Sequence, residues 1–201
     1  LVEIIRGEGT SEAVLREAEA FIRTLGKTPV LAKDTPGFIV NRVARNFYGE
    51  AFRMLSDGLA THEQIDRIMK ANGFAMGPFR MGDLAGNDIG WAIRKRRYVQ
   101  YPQIRYSKTA DLLCEMGRYG QKVGKGWYDY EAGKREPVPS AEVQACIDKV
   151  RADKGVTPRA ISDDEIVQRL VLAMVNEGAA ILAEGIASKA SDIDMVYLTG
   201  Y

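Results

Sequence analysis

The apolar residues of this chain recur with a helical period over most of its length and with a strand period only near its start. Leu1 to Ile5 reads as a strand. Ser11 then opens a helix with Glu12 in its first turn and Val14, Leu15, Ala18, Phe21, Ile22 and Leu25 on one apolar face, which Gly26 ends. Thr28 to Ala32 is a short apolar run between turn residues and predicts a second strand. From Gly37 to about Ser56, the residues Phe38, Val40, Val43, Ala44, Phe47, Ala51 and Leu55 keep helical spacing, and Asp57-Gly58 closes that helix. Thr61 caps a further helix carrying Ile65, Ile68 and Met69, which Asn72-Gly73 terminates. Pro78 restarts helix through Phe79, Met81 and Leu84 towards Ile93, with Gly82, Gly86 and Gly90 set against its continuity. A helix around Ala110 to Met116 precedes a glycine-rich turn from Gly117 to Gly126, and Trp127-Tyr128-Asp129-Tyr130 reads as extended.

Residues 133–140, with Gly133, Pro137 and Pro139 among charges, read as a linker, and Ala141 to Arg151 as a connecting helix. Ser162-Asp163-Asp164-Glu165 is a helix start with the pattern of a capping box. The helix that follows repeats an earlier one. Ile166-Val167-Gln168-Arg169 matches Ile39-Val40-Asn41-Arg42, Glu177 matches Glu50, and Glu184-Gly185 matches Asp57-Gly58. Ile193-Asp194 matches Ile65-Asp66 one residue out of register, and Gly200-Tyr201 echoes Gly73-Phe74. Two copies of one helical unit, the second cut short, imply duplication, and the plainest role for it is mutual burial of two apolar faces.

Composition changes this picture little. The 201 residues, 46% hydrophobic and 27% charged, suit an ordinary globular protein. Lys and Arg (28) nearly balance Asp and Glu (27), so no global field argues for nucleic acid or an anionic membrane. Cys114 and Cys146 share no metal-ligand or disulfide spacing, which favours a reducing, intracellular compartment and no metal. No run of membrane-spanning length and no leader stands out. The chain opens without Met on a strand-like run and stops after a patterned segment, so it reads as a piece of a longer polypeptide.

The most informative stretch is Lys33-Asp34-Thr35-Pro36-Gly37-Phe38-Ile39-Val40-Asn41-Arg42. Pro36 pushes Thr35 out of the α region and pre-sets a turn into helix. Asn41 then stands among groups that want burial, where its amide needs partners. A ligand is one such partner; a helix-packing contact or local cap is the other. That decapeptide, with Leu1-Val2-Glu3-Ile4-Ile5, resembles the L-3-hydroxyacyl-CoA dehydrogenase family. The stretches Met76-Gly77-Pro78-Phe79-Arg80-Met81-Gly82-Asp83-Leu84-Ala85-Gly86-Asn87-Asp88-Ile89-Gly90-Trp91 and Gly117-Arg118-Tyr119-Gly120-Gln121-Lys122-Val123-Gly124-Lys125-Gly126-Trp127-Tyr128 look like its bifunctional members, peroxisomal and bacterial, which join a hydratase to a dehydrogenase.

The resemblance implies a mainly α fold: duplicated helical C-terminal domains preceded by the last strand, helix and strand of a nucleotide-binding Rossmann domain. The corresponding bounds are 1–33 for that trailing edge, 34–132 for the first helical domain, 133–161 for linker and connecting helix, and 162–201 for a truncated second domain. It also implies NAD-dependent oxidation of 3-hydroxyacyl-CoA to 3-ketoacyl-CoA in fatty-acid β-oxidation. The family's catalytic His and a Ser would lie upstream of Leu1, so the fragment alone should be inactive, with NAD bound mainly by the Rossmann domain.

Residue by residue, Glu3 takes the place of the Glu that orients the catalytic His, and Asn41 that of the substrate-contacting Asn. Lys122 takes the place of a lysine near the nicotinamide ribose, and Tyr197 that of a substrate-contacting tyrosine in long-chain relatives. Each has a plainer reading: the solvent side of an alternating strand for Glu3, a solvated lysine for Lys122, core packing with a hydroxyl at the rim for Tyr197. The Arg94-Lys95-Arg96-Arg97 run could bind CoA phosphates, or be a solvated face. His62 reads as a surface or capping histidine. Partners implied are the acyl-CoA, upstream Rossmann and hydratase domains, and a second copy of the chain, in a peroxisome or a bacterial cytoplasm. Two rival functions remain: a purely structural or dimerising module, and a dehydrogenase of another hydroxy acid.

Overall fold

Ser11 and Thr61 each turn a hydroxyl onto the first turn of a helix, accepting the amides of Val14 at 3.3 Å and Gln64 at 3.1 Å. Gly26, Gly58 and Gly73 follow helix ends with φ of +66°, +67° and +96°, backbone that glycine adopts without strain. The computed structural model describes residues 1–134 and 136–200. Its elements run β1 (Val2–Arg6), α1 (Glu12–Thr24), β2 (Pro29–Lys33), α2 (Val40–Ser56), α3 (His62–Ala71), α4 (Pro78–Ala85), α5 (Asn87–Gln100), α6 (Lys108–Glu115), β3 (Asp129–Tyr130), β4 (Pro137–Val138), α7 (Ala141–Asp153), α8 (Asp163–Ala183) and α9 (Ala190–Gly200). The fold is mainly α, with a small sheet at its start.

The chain forms two compact units, one of Leu1–Phe47 with Val171 onward, the other Tyr48–Leu170. In the first, β1 and β2 pair in parallel, Val2 opposite Pro29 through Arg6 opposite Lys33, with α1 as the crossover that parallel strands require. The apolar face expected on α1 buries little: Leu15 is 5% exposed, whereas Val14, Phe21 and Leu25 are 54%, 60% and 53% exposed. Beyond β2, Ala32 bridges Ala187 and the Lys33 amide donates to the Ile186 carbonyl at 3.0 Å, so the strand ends against the turn after α8.

In the second unit, Ile65, Ile68, Met69, Phe79, Trp127 and Ile147 form a core, each no more than 2% exposed. Two buried carboxylates organise it. Asp66 on α3 accepts the amides of Phe79 and Arg80, both at 2.9 Å, and so caps α4 from outside that helix. It also accepts the Tyr128 hydroxyl at 2.8 Å. Asp83 on α4 accepts the Trp127 and Tyr128 amides at 2.8 and 3.0 Å, the Tyr130 hydroxyl at 2.9 Å and the Asn87 amide group at 2.7 Å. Arg118, 2% exposed, donates to the Gly126 carbonyl at 2.8 Å, Glu142 at 2.7 Å and Asp129 at 2.5 Å. These groups tie the glycine-rich turn to its surroundings.

Several expectations are corrected. The helix begun at Pro78 breaks at Gly86, φ +101°, and restarts as α5. The stretch expected as linker contains β4, which pairs antiparallel with β3 through Asp129 opposite Val138 and Tyr130 opposite Pro137, while Arg135 within it lies outside the described residues. His62 is neither a surface residue nor the cap: Thr61 caps α3, and the His62 ring, 1% exposed, packs 5.0 Å from Tyr128, 5.9 Å from Phe79 and 6.2 Å from Trp127. Its Nδ1 lies 3.2 Å from a Glu63 carboxylate oxygen.

A helix of membrane-spanning length is also present, against expectation: α8 has 21 residues and a mean hydropathy of 1.5. Ile166, Leu170 and Ile181 are fully buried, Leu172 and Val175 are 54% and 55% exposed, and Arg169 and Glu177 each hold an ion pair with a residue of α2. Those two pairs are reciprocal: Arg42 meets Glu177 at 2.5 Å and Arg169 meets Glu50 at 2.7 Å, so each copy of the repeat supplies the arginine once and the glutamate once. That exchange is what self-complementary pairing of two like units produces.

Candidate functional site

The first unit gathers three of the four residues singled out from the sequence. Glu3, half-buried on β1, points one carboxylate oxygen at the start of α2: Oε1 accepts the Ile39 amide at 2.8 Å and the Val40 amide at 3.2 Å. These are orphan donors of a helix N-terminus, which favours an anion by its dipole as well. Oε2 accepts no hydrogen bond from the described residues, so the carboxylate holds α2 with one oxygen and presents the other. The plain reading of Glu3, a solvent-facing strand residue, therefore gives way to a carboxylate at a junction.

The turn into α2 makes this possible. The Phe38 amide donates to the Thr35 carbonyl at 3.0 Å, Gly37 has φ +102° and Phe38 φ +46°. A non-glycine residue in the left-handed region costs roughly 1 kcal/mol or more, and here it aims the next two amides at Glu3. A Cβ on Gly37 would stand 3.1 Å from the Arg42 nitrogen, tighter than the turn accepts at that φ. The helix starts at Val40, later than the spacing suggested.

Asn41 sits in the first turn of α2, and its side chain is exposed. This corrects the premise that it is a buried amide short of partners. Ile39, Val43 and Phe47, fully buried, share one helical face, and Asn41 falls on the opposite side. Its amide group hydrogen-bonds none of the described residues, which leaves two donors and its acceptor lone pairs free for a ligand. Arg42 next to it donates from Nε to Glu177 at 2.5 Å and from Nη1 and Nη2 to the two oxygens of Glu184 at 2.5 and 2.6 Å. The paired bonds to Glu184, with Glu177 adding to them, raise the Arg42 pKa and hold the group charged.

Tyr197 on α9 is half-buried, with its hydroxyl 3.4 Å from the Met174 carbonyl. Burial first, then the Glu177 and Asp194 charges, push its pKa up, so the hydroxyl stays protonated and can donate. Lys122 belongs to the second unit. Its ammonium lies 2.6 Å from Asp88 and is about half exposed, and that bond holds the Asp88 carboxyl below the usual range. Two of the glycines near it are packed against the protein: a Cβ at Gly120 would stand 2.2 Å from the Asp83 carbonyl oxygen and one at Gly126 would stand 2.0 Å from Asp83 Oδ1, whereas one at Gly124 would meet only the Tyr130 carbonyl oxygen, at 3.7 Å.

The basic run is mostly engaged. Arg94 pairs with Asp111 at 2.6 Å, Arg97 bonds the Tyr106 hydroxyl at 2.5 Å, and Lys95 lies 3.9 Å over the Trp91 ring. Lys95 and Arg96 are its exposed members. Among the described residues no cluster of His, Cys, Asp and Glu could hold a metal ion.

Residues 37–130 match the family model of the 3-hydroxyacyl-CoA dehydrogenase C-terminal domain, and residues 1–35 match that of its NAD binding domain. The chain belongs to the 3-hydroxyacyl-CoA dehydrogenase family. It is similar to the peroxisomal bifunctional enzyme of Danio rerio, 37% identical over the whole of this chain, which spans 30% of that relative's length. Among solved structures it is similar to 3-hydroxybutyryl-CoA dehydrogenase from Escherichia coli, with TM-score 0.77 and 26% identity over 98% of this chain and 57% of that one. The dehydrogenase part of multifunctional enzyme 1 from C. elegans gives TM-score 0.73 and 26% identity, over 97% of this chain and 44% of that one. In this dehydrogenase family segment the residues that sequence reasoning missed are Arg42 and its two carboxylates. The signal was present in the repeat, which sets an Arg and a Glu at matching positions in both copies.

Proposed function

We propose that this segment is the C-terminal part of an NAD-dependent L-3-hydroxyacyl-CoA dehydrogenase of fatty-acid β-oxidation, of the bifunctional kind, and that it supplies one wall of the substrate site. The observation that carries this is the pairing of Glu3 with the start of α2, one oxygen on the Ile39 and Val40 amides and the other open, immediately beside an exposed and unpartnered Asn41.

In this reading the 3-hydroxyl of the substrate gives its proton to an imidazole as C3 is oxidised to the 3-keto thioester, with NAD, when bound, as the two-electron acceptor. Glu3 Oε2 receives the other imidazole N–H, fixing the ring's tautomer and steadying the imidazolium that forms. Asn41 donates to a substrate oxygen from a helix start that Glu3 itself holds, so base and substrate contact share one fixed point. By their places in the family sequence, Lys122 is assigned to the nicotinamide ribose and Tyr197 to contact with longer substrates.

The exposed Val14, Phe21 and Leu25 on α1 fit a nucleotide-binding domain whose further layers cover that face. The reciprocal Arg42–Glu177 and Arg169–Glu50 pairs support reading 34–132 and 162–201 as two copies of one helical domain, with 133–161 joining them. A peroxisome or a bacterial cytoplasm suits the enzyme, with a hydratase domain as companion. The purely structural reading has an observation of its own, since Glu3 caps α2 whether or not it meets an imidazole.

The test is turnover. The complete polypeptide should reduce NAD with 3-hydroxyacyl-CoA esters, and residues 1–201 alone should not. Activity of the isolated segment, or inactivity of the complete protein on every chain length, contradicts the proposal.

A further inference from the structure

The Asn41 side chain makes no hydrogen bond to the described residues, so its position is set by the backbone of the first turn of α2 and by the residues on either side of it. First turns fray because their amides lack intrahelical partners. Here the turn is tied at two points. Val40, before Asn41, gives its amide to Glu3 at 3.2 Å. Arg42, after Asn41, commits all three guanidinium nitrogens to Glu177 and Glu184, residues of the second copy of the repeat.

The two copies are not equivalent here. Arg169, which takes the place of Arg42, meets Glu50 at 2.7 Å as Arg42 meets Glu177, but it has no bidentate bond to match the one with Glu184. The counterpart of Glu184 is Asp57, one methylene shorter, and Arg169 instead lies 3.6 Å from Glu165 in its own helix. Accordingly the Arg169 side chain is 32% exposed and that of Arg42 19%. Only the copy that carries Asn41, rather than Gln168, has its arginine held on both sides. A planar guanidinium with its fork filled allows far less rotation than a single point contact, so the peptide it grows from is held as well.

We infer that Glu177 and Glu184 position the Asn41 amide through Arg42, making the second helical copy a working part of the substrate site in addition to a packing partner. Arg42, Glu177 and Glu184 are positioning residues. None of them touches substrate in this account. The inference rests on the reading of Asn41 as a substrate contact.

The experiment is a double-mutant cycle in the complete polypeptide, combining Asn41→Ala with the pair Glu177→Gln and Glu184→Gln, and measuring kcat, both KM values and the melting temperature. The clamp pair alone should lower kcat for 3-hydroxyacyl-CoA about tenfold, with the KM for NAD unchanged and a melting temperature within about 2 °C of the parent. In the Asn41→Ala background the same pair should cost less than about twofold, because the group it positions is gone. Arg42→Lys, which keeps the charge but not the fork, should resemble the clamp pair. An equal loss in both backgrounds, or a folded clamp variant with full activity, overturns the inference. If Glu177→Gln unfolds the protein, Glu184→Gln alone, at an exposed partner, carries the same comparison. A fully active Asn41→Ala removes the underlying reading instead, and this inference with it.

Discussion

Glu3 Oε1 lies 2.8 Å from the amide nitrogen of Ile39, which joins the first strand of the chain to a helix start more than thirty residues away. The bond ties β1 to the start of α2, and it leaves Oε2 available for a second partner. Glu3 is therefore asked to do two things that substitution can separate.

Glu3→Gln keeps an acceptor for the Ile39 and Val40 amides but is a poorer partner for an imidazolium. Glu3→Ala removes both. Thermal or urea unfolding should show Glu3→Ala destabilised by about 1 kcal/mol, the usual cost of a lost cap, with Glu3→Gln close to the parent. In the complete enzyme both should lose activity. Full activity in Glu3→Gln would leave the residue as a cap only.

Burial holds the His62 imidazole below its ordinary pKa, with Glu63 opposing that shift and Arg151 adding to it. A histidine that resists protonation in the folded chain leaves stability intact above about pH 6.5 and removes it as the pH falls below that value. Asp66, pushed up to about 7 by burial against the bonds it accepts from Tyr128, Phe79 and Arg80, has the opposite sign: it costs stability as the pH rises towards 7. Comparing parent with His62→Phe cancels the Asp66 contribution. Between about pH 7.5 and about pH 5.5, urea unfolding should show the parent losing ground to the variant. Parallel curves would mean that His62 is not held neutral.

Asp83 is fully buried and satisfies two amides, a hydroxyl and an amide group across the glycine-rich turn. Asp83→Ala strands those donors in the core, which costs about 3 kcal/mol or more. Urea midpoints should fall accordingly. A change below about 1 kcal/mol would show that the turn is held by something other than this carboxylate.

Much of this fold is legible in the residues. Ser11, Thr61 and Ser162 cap helices as their hydroxyls predict, and the repeat of Ile-Val-Asn/Gln-Arg places the two arginines that exchange glutamates. These are local signals, or one signal seen twice. What escaped the sequence depends on partners far along the chain. His62 looks like a surface residue after a cap until Phe79 and Trp127 fold over it, and Asp83 gives no hint of a cradle whose amides lie 44 and 45 residues on. The glycines of 117–126 announce close approach but not what approaches. The apolar neighbours of Asn41 suggest burial, but they turn inward at Ile39 and Val43, and the helical period carries Asn41 outward.

The measurement that bears most directly on the central claim is kcat/KM for NAD-dependent oxidation of 3-hydroxyacyl-CoA by the complete polypeptide and its Asn41→Ala variant, with unfolding followed beside it. Asn41 is exposed and bonds none of the described residues, so its loss should change stability by no more than about 0.5 kcal/mol. The account predicts an active parent and a folded variant whose kcat/KM falls by about tenfold or more. A variant that folds and turns over like its parent would contradict it.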